Sequence, residues 1–349
     1  MKIGFRLDAN EYVASGHMFR CVAVAKQIRM LQHEVLFFLA EEKNTELLIK
    51  ENMPYIVING HWDDFDQDIS CMIQQVHQSR LDVLVVDSYK ITGKFLSELN
   101  HEIPVFLFDD ICTTRYAVSA VLHYSEWEGN EKIRDLYEHT DVKTISGLQY
   151  VPLREEFTEK VCFDKKKQIL ITTGGTDPYH ISYQLVDRIF RTPEFDEYSV
   201  LIVCGINNKD YDILLEKQKK TPRVRVVRNA SNMAQLMKES MLAVCAGGMT
   251  VYELCAVQCP AVAIAISDDQ FFFLEELHRL GVVLYAGDIR QIGENVYANV
   301  IECMKKLLGR NEIESIREKM YKLVDGQGAY RIAKEIIKCK KVCEDNNLE

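Results

Sequence analysis

Short apolar runs, rich in β-branched and aromatic residues, recur along almost the whole chain and alternate with stretches of helical period. The first series is Ile3–Arg6, Val35–Leu39, Tyr55–Ile58, Val83–Val86 and Val105–Phe108. Between the first two runs, Met18, Val22, Ala25 and Ile28 repeat at three- and four-residue spacing, the face of an amphipathic helix. Runs apolar on both faces and separated by helices predict parallel strands covered on both sides. The rhythm restarts at Gln168–Thr172 and continues through Val200–Val203, Val224–Val227, Leu242–Cys245 and Ala261–Ile266. Three helical segments follow over about 292–343, and the tail Glu344–Glu349 is expected to fray. The pattern predicts two doubly wound α/β domains in tandem: 1–152 and 168–325, joined by a polar linker at 153–167 and followed by a C-terminal helix and tail at 326–349.

Composition changes the picture in one respect. The 349 residues carry 42 Lys and Arg against 52 Asp and Glu, a formal charge of −10. A chain so acidic is a poor general binder of nucleic acid or anionic membrane, since both need a positive field. It can still seat one small anion on local donors. No apolar run reaches the roughly 20 residues that span a bilayer, so no transmembrane segment is expected. Eleven cysteines without a C-x-x-C pair or a signal-peptide pattern fit free thiols in a reducing cytoplasm, not a zinc site. The sequence leaves the oligomeric state open.

Ligands of doubly wound sheets bind beyond the carboxyl ends of the strands, so the residues after each strand carry the chemistry. After Ile3–Arg6 comes Asp8, and Ser15–Gly16 suits a helix start that puts His17 in the first turn. There His17 suits a general base; a histidine that merely belongs to the cap fits the spacing equally well. Asp87 and Asp109–Asp110 follow later strands. Each alone suits a helix cap, but with Asp8 they put four carboxylates on one rim, suited to a cationic or hydroxyl-rich ligand. In the second half Gly174-Gly175-Thr176 follows a strand, where paired glycines let backbone N–H groups approach an anion. The most informative segment is Ala243–Leu254: strand, Gly247-Gly248 turn, then a helix start at Met249 and Thr250. This predicts a pyrophosphate seat, with Glu253 one turn on, placed to accept from a ribose diol. A glycine turn used only for packing is the plainer alternative. Ser267–Gln270 adds a polar strand end. Phe271, Phe272 and Phe273 open a helix continued by Leu274, Leu277 and Leu280, and read as core.

These landmarks, taken in order, resemble a known family. Arg6-x-Asp8-Ala9-Asn10, then Gly16-His17 and Arg20, match its opening, with Ala14 standing where a glycine is usual. Asp87-Ser88-Tyr89, Phe108-Asp109-Asp110, Tyr150, Leu153–Phe157, Gly174–Asp177, Gly247–Glu253, Gln270 and Val324–Ala329 follow its pattern. The chain is similar to the hydrolases of pseudaminic acid synthesis, which remove UDP from UDP-2,4-diacetamido-2,4,6-trideoxy-β-L-altropyranose. It is also similar to the predicted glycosyltransferases of spore-coat polysaccharide synthesis. A more distant likeness is to the N-acetylglucosaminyltransferase of peptidoglycan synthesis.

The resemblance implies a GT-B-like α/β fold, two Rossmann-like doubly wound domains facing a cleft. It implies a cytoplasmic enzyme that acts on a UDP-sugar without cofactor or obligatory metal. His17 would be the base that activates water at the anomeric carbon, and Tyr89 would stand beside the reacting centre. Asp8, Asn10, Arg20, Asp87 and Asp109 would form the sugar site. Gly174, Gly175, Thr176, Gly247, Gly248, Met249, Thr250, Glu253 and Gln270 would hold UDP. A glycosyltransferase using the same base on an acceptor hydroxyl is the nearest alternative, and a non-catalytic UDP-sugar binding module the next.

Overall fold

In a computed structural model, the described residues are 1–8, 16–124, 127–158, 165–308 and 310–339. The chain divides into two compact units. One comprises Met1–Arg154 and the chain from Gln327 on, and the other Glu155–Gly326. The first sheet holds seven strands: β1 (Lys2–Leu7), β2 (Glu34–Leu39), β3 (Tyr55–Val57), β4 (Val83–Asp87), β5 (Val105–Phe108), β6 (Ala120–His123) and β7 (Lys143–Ser146). The second holds β8 (Lys166–Thr172), β9 (Ser199–Cys204), β10 (Val224–Arg228), β11 (Ser240–Ala246), β12 (Ala261–Ala265) and β13 (Leu284–Asp288). Every pairing is parallel.

The strand orders are β3-β2-β1-β4-β5-β6-β7 and β10-β9-β8-β11-β12-β13. In each, the winding reverses once, between β1 and β4 and between β8 and β11. Such a reversal opens a crevice at the carboxyl end of the sheet, because successive crossover helices leave on opposite faces. The residues after β1 and β4, and after β8 and β11, therefore hold the two positions that the topology reserves for ligands.

Alternation along β1 shows how the first unit is filled. Ile3, Phe5 and Leu7 face a core shared with the helix Gly16–Met30 and with Ile332, Ala333 and Ile336 of the helix Gly328–Lys338. The opposite face packs Phe38, Leu84, Val86 and Leu107 against Met72, Phe95 and Leu99 of two other helices. In the second unit Ile169, Ile171, Ile202 and Val244 pack against Leu185 and Val300. The C-terminal helix thus completes the first unit's core, although it follows the second unit in the chain.

Strands β6, β7 and β13 were not legible as apolar runs. Lys143-Thr-Ile-Ser buries only Ile145, and Leu284–Asp288 ends in Gly-Asp. The closing motif has a steric cause. A Cβ on Gly326, which sits at φ +78°, would collide with the carbonyl of Phe157, and one on Gly328 with the carbonyl of Val151. Both obstacles are backbone, so neither can step aside. Gly328→Ala should cost about 2 kcal/mol or more, read as a lower denaturation midpoint in urea with an unchanged slope.

Candidate functional site

The first unit gathers its chemistry where β1 and β4 diverge. His17 lies in the first described turn of the helix after β1 and is buried. Its Nδ1 sits 2.6 Å from Oδ1 of Asp87, the last residue of β4. Arg20, one turn beyond His17, grips the same carboxylate bidentately, Nε donating to Oδ2 at 2.7 Å and Nη2 to Oδ1. Nη1 of Arg20 donates to Asp110 at 2.9 Å and to the Tyr124 hydroxyl. Burial pushes the Asp87 carboxyl up, but the charge and hydrogen bonds of Arg20, together with those of His17, hold it well below the usual carboxylate range. Nη2 of Arg20 also lies 3.1 Å from Nδ1. An ionised Asp87 can only accept, so in the neutral imidazole the proton facing it belongs to Nδ1 and Nε2 carries the lone pair. Tyr89 meets the imidazole edge-on at 4.7 Å and donates to Asp110 at 3.1 Å. Burial and the Asp110 charge push its phenol up, so it stays protonated. A small open pocket lies here, lined by His17, Arg20, Asp87, Tyr89, Asp109 and Asp110, with Ile91, Ile111 and Tyr116 on its apolar side.

The four carboxylates do not share one role. Asp8 accepts from Ala40 N–H at 2.8 Å and pairs with the buried Arg6. Asp87 commits both oxygens to His17 and Arg20, so it orients the site more than it reads a ligand. Asp110 is shared by Arg20 and Tyr89. Asp109 caps the following turn, its Oδ1 accepting from Ile111 N–H and Cys112 N–H at 3.0 Å each. Asn10, with Ala9, Ala14 and Ser15 of the opening motif, lies outside the described residues, as does the tail Glu344–Glu349. Nothing in the local sequence marks Tyr124 as part of this site. It follows β6, one of the strands too short to register, and its hydroxyl needs Arg20 as partner across about a hundred residues.

In the second unit both glycine turns stand at one end of the sheet, because β8 and β11 pair directly, Thr172 beside Cys245. Gly174 adopts φ +86° and Gly248 φ +105°, conformations that favour glycine. Gly174, Gly175 and Thr176 are exposed. Asp177 turns inward and caps the helix Ile181–Phe190, accepting from Ile181 N–H and Ser182 N–H at 2.9 Å each. The helix Met249–Ala256 begins directly at Gly248, so the N–H groups of Met249 and Thr250 are among the first-turn donors that intrahelical bonding leaves over. Gln270 packs against Gly247, where any Cβ would press into its side chain, and its Oε1 accepts from Ile266 N–H at 3.0 Å. Glu253 is partly buried on the same helix, one turn on. The phenylalanines divide: Phe273 packs edge-on against Tyr252, Phe271 against Tyr285, and Phe272 is 73% exposed. Helical geometry cannot bury three consecutive side chains on one face. Among the described residues, no group of three or more His, Cys, Asp or Glu is placed to hold a metal ion, and no helix is long and apolar enough to cross a membrane.

Known proteins match this arrangement. Residues 168–329 match the glycosyltransferase family 28 C-terminal domain. The MurG crystal structure from Acinetobacter baumannii superposes with a TM-score of 0.67 at 16% identity, covering 97% of this chain and all of that one. The chain has the GT-B fold. Another GT-B likeness is the Anabaena protein Alr3699/HepE in complex with UDP, at TM-score 0.59 and 14% identity over 97% of this chain and 100% of that one. Among curated relatives, the spore coat polysaccharide biosynthesis protein SpsG of Bacillus subtilis is 21% identical over 95% of this chain and 96% of its own. The UDP-2,4-diacetamido-2,4,6-trideoxy-β-L-altropyranose hydrolase of Campylobacter jejuni is 24% identical over 77% of this chain and 93% of its own. An uncharacterized protein of Methanocaldococcus jannaschii is 24% identical over 76% of this chain, which spans about 55% of that longer protein.

Proposed function

We propose that the protein is a UDP-sugar hydrolase, releasing UDP from UDP-2,4-diacetamido-2,4,6-trideoxy-β-L-altropyranose or a related UDP-amino sugar in nonulosonic acid or surface polysaccharide synthesis. The observation that carries the reading is the imidazole of His17, fixed through Nδ1 by an ionised Asp87 at the reversal of the first sheet. Nε2 takes a proton from water as the water oxygen bonds to the anomeric carbon. The bond from that carbon to the diphosphate oxygen breaks, and its electron pair leaves with UDP. The second unit holds UDP at Gly174–Thr176 and Gly247–Thr250, where backbone N–H groups and the helix N-terminus meet the developing charge. The hydrolase-named relative supports water as the acceptor. Buried free thiols fit a cytoplasmic enzyme.

The test is UDP release from the purified protein and a UDP-diacetamido-trideoxyhexose in H₂¹⁸O without any acceptor. The label should appear on the sugar's anomeric hydroxyl. The family 28 domain match favours a second reading, a glycosyltransferase in which His17 deprotonates an acceptor hydroxyl. UDP release that depends on an added acceptor would establish that reading and remove the first. On either reading Glu253→Ala should weaken UDP binding by about 1–3 kcal/mol. Calorimetric affinity equal to wild type would take Glu253 out of the ribose site.

A further inference from the structure

Asp109 presents a feature that the turn it caps does not explain. Its Oδ1 is satisfied by two backbone donors, its main-chain N–H donates to Leu122 O, and its main-chain oxygen accepts from Nδ1 of His123 at 2.7 Å. The residue is thereby locked in position, and only 6% of it is exposed. Its Oδ2, by contrast, is buried and has no hydrogen-bond partner. Leaving a carboxylate oxygen dry and unpaired opposes folding, and a cap needs only one oxygen. The residue lines the pocket beside His17, where three aspartates face the single cation of Arg20. That balance repels a phosphate and favours a neutral group that donates hydrogen bonds. Burial and the Asp109 charge together push the neighbouring Cys112 thiol and Tyr116 phenol up, so neither releases its proton near that carboxylate.

We propose that Asp109 Oδ2 is the acceptor for a hydrogen-bond donor on the sugar, an N–H or O–H of a ring substituent, and that this contact sets substrate specificity. The apolar flank of Ile91, Ile111 and Tyr116 then takes the carbon part of that substituent. The assignment rests on the UDP-sugar reading above and adds to it the atom that reads the sugar.

Asp109→Asn tests it, since Asn keeps an oxygen for the Ile111 and Cys112 N–H groups and replaces Oδ2 by a donor. Wild type and variant are compared on UDP-sugars bearing an acylamino group, a hydroxyl or hydrogen at C2, and then at C4. Wild type should favour a donor-bearing sugar over its deoxy counterpart by roughly 10- to 100-fold in kcat/KM, the range for losing a hydrogen bond to a charged group. The acylamino and hydroxyl arms tell which donor it is. In the variant the ratio should fall to within about twofold of one, with UDP affinity unchanged and Tm no lower than wild type, because an unpaired buried charge has gone. A preference that survives in the variant, or is absent from wild type, overturns the proposal. So does a lowered Tm with equal losses on all three sugars, the signature of a purely structural cap. If no UDP-sugar is turned over, the hydrolase reading fails, and calorimetric affinities for the same sugars decide Asp109 separately.

Discussion

His17→Asn should reduce acceptor-free UDP release by roughly 10²- to 10⁴-fold, the span for removing a positioned general base, with the circular dichroism spectrum and UDP affinity unchanged. The expectation follows from what surrounds the ring. Nδ1 is committed to Asp87 at 2.6 Å, so every proton the imidazole moves passes through Nε2. Asn can still donate an amide hydrogen to Asp87, so the carboxylate keeps a partner and the core beneath it should hold. Asp87→Asn should be nearly as damaging for a different reason. It removes the fixed anion, leaves Arg20 held only by Asp110 and Tyr124, and lets the imidazole take the other tautomer, a change that costs about 10⁴ in a serine protease triad. Stopped or continuous UDP assays read both variants. Wild-type turnover in His17→Asn would sink the mechanism, whereas equal loss of UDP affinity and turnover in Asp87→Asn would make that aspartate structural.

The contrast between His17 and the carboxylates shows how far a sequence can be read. The strands, their parallel alternation and the polar residues at their carboxyl ends follow from local periodicity, and the glycine turns follow from what backbone near an anion requires. Pairing does not. A lone Asp after a strand looks alike whether it faces a ligand, caps a turn or neutralises an arginine. Asp87 is settled by Arg20 and His17, 67 and 70 residues away, and Asp8 by Arg6 and Ala40. The acidic rim, read as a surface for a cation or a polyol, is for the most part internally compensated, and only Asp109 retains an unpaired oxygen. The same limit hid the C-terminal helix: its amphipathic pattern predicts burial, but which sheet it covers depends on where the chain returns after the second unit.

Arg6→Ala should destabilise the first unit by about 3–5 kcal/mol, the cost of leaving a buried charge without its partner. Arg6 is completely buried on the face of β1 opposite Phe5. It pairs with Asp8 and, at 3.1 Å, with Asp68, and its guanidinium lies 4.2 Å from the centre of the Phe65 ring. Removing it strands two carboxylates in a site that water hardly reaches and leaves a void over Phe65. Burial already raises Asp8 above its ordinary value, with Arg6 the largest opposing pull. Without Arg6 the shift grows, so an ionised Asp8 opposes folding at neutral pH. A carboxyl whose folded pKa lies above its unfolded one loses that penalty as pH falls through the folded value. The deficit of Arg6→Ala should therefore shrink between neutral pH and the acid range, a trend a mere cavity would not give. Arg6→Met with Asp68→Asn, which fills the void and removes one charge, should recover part of the loss at pH 7. Denaturant titrations of the three proteins at two pH values measure this. A deficit independent of pH, or no recovery in the double variant, would mean that Arg6 supports the fold by packing on Phe65 and not by holding the two aspartates.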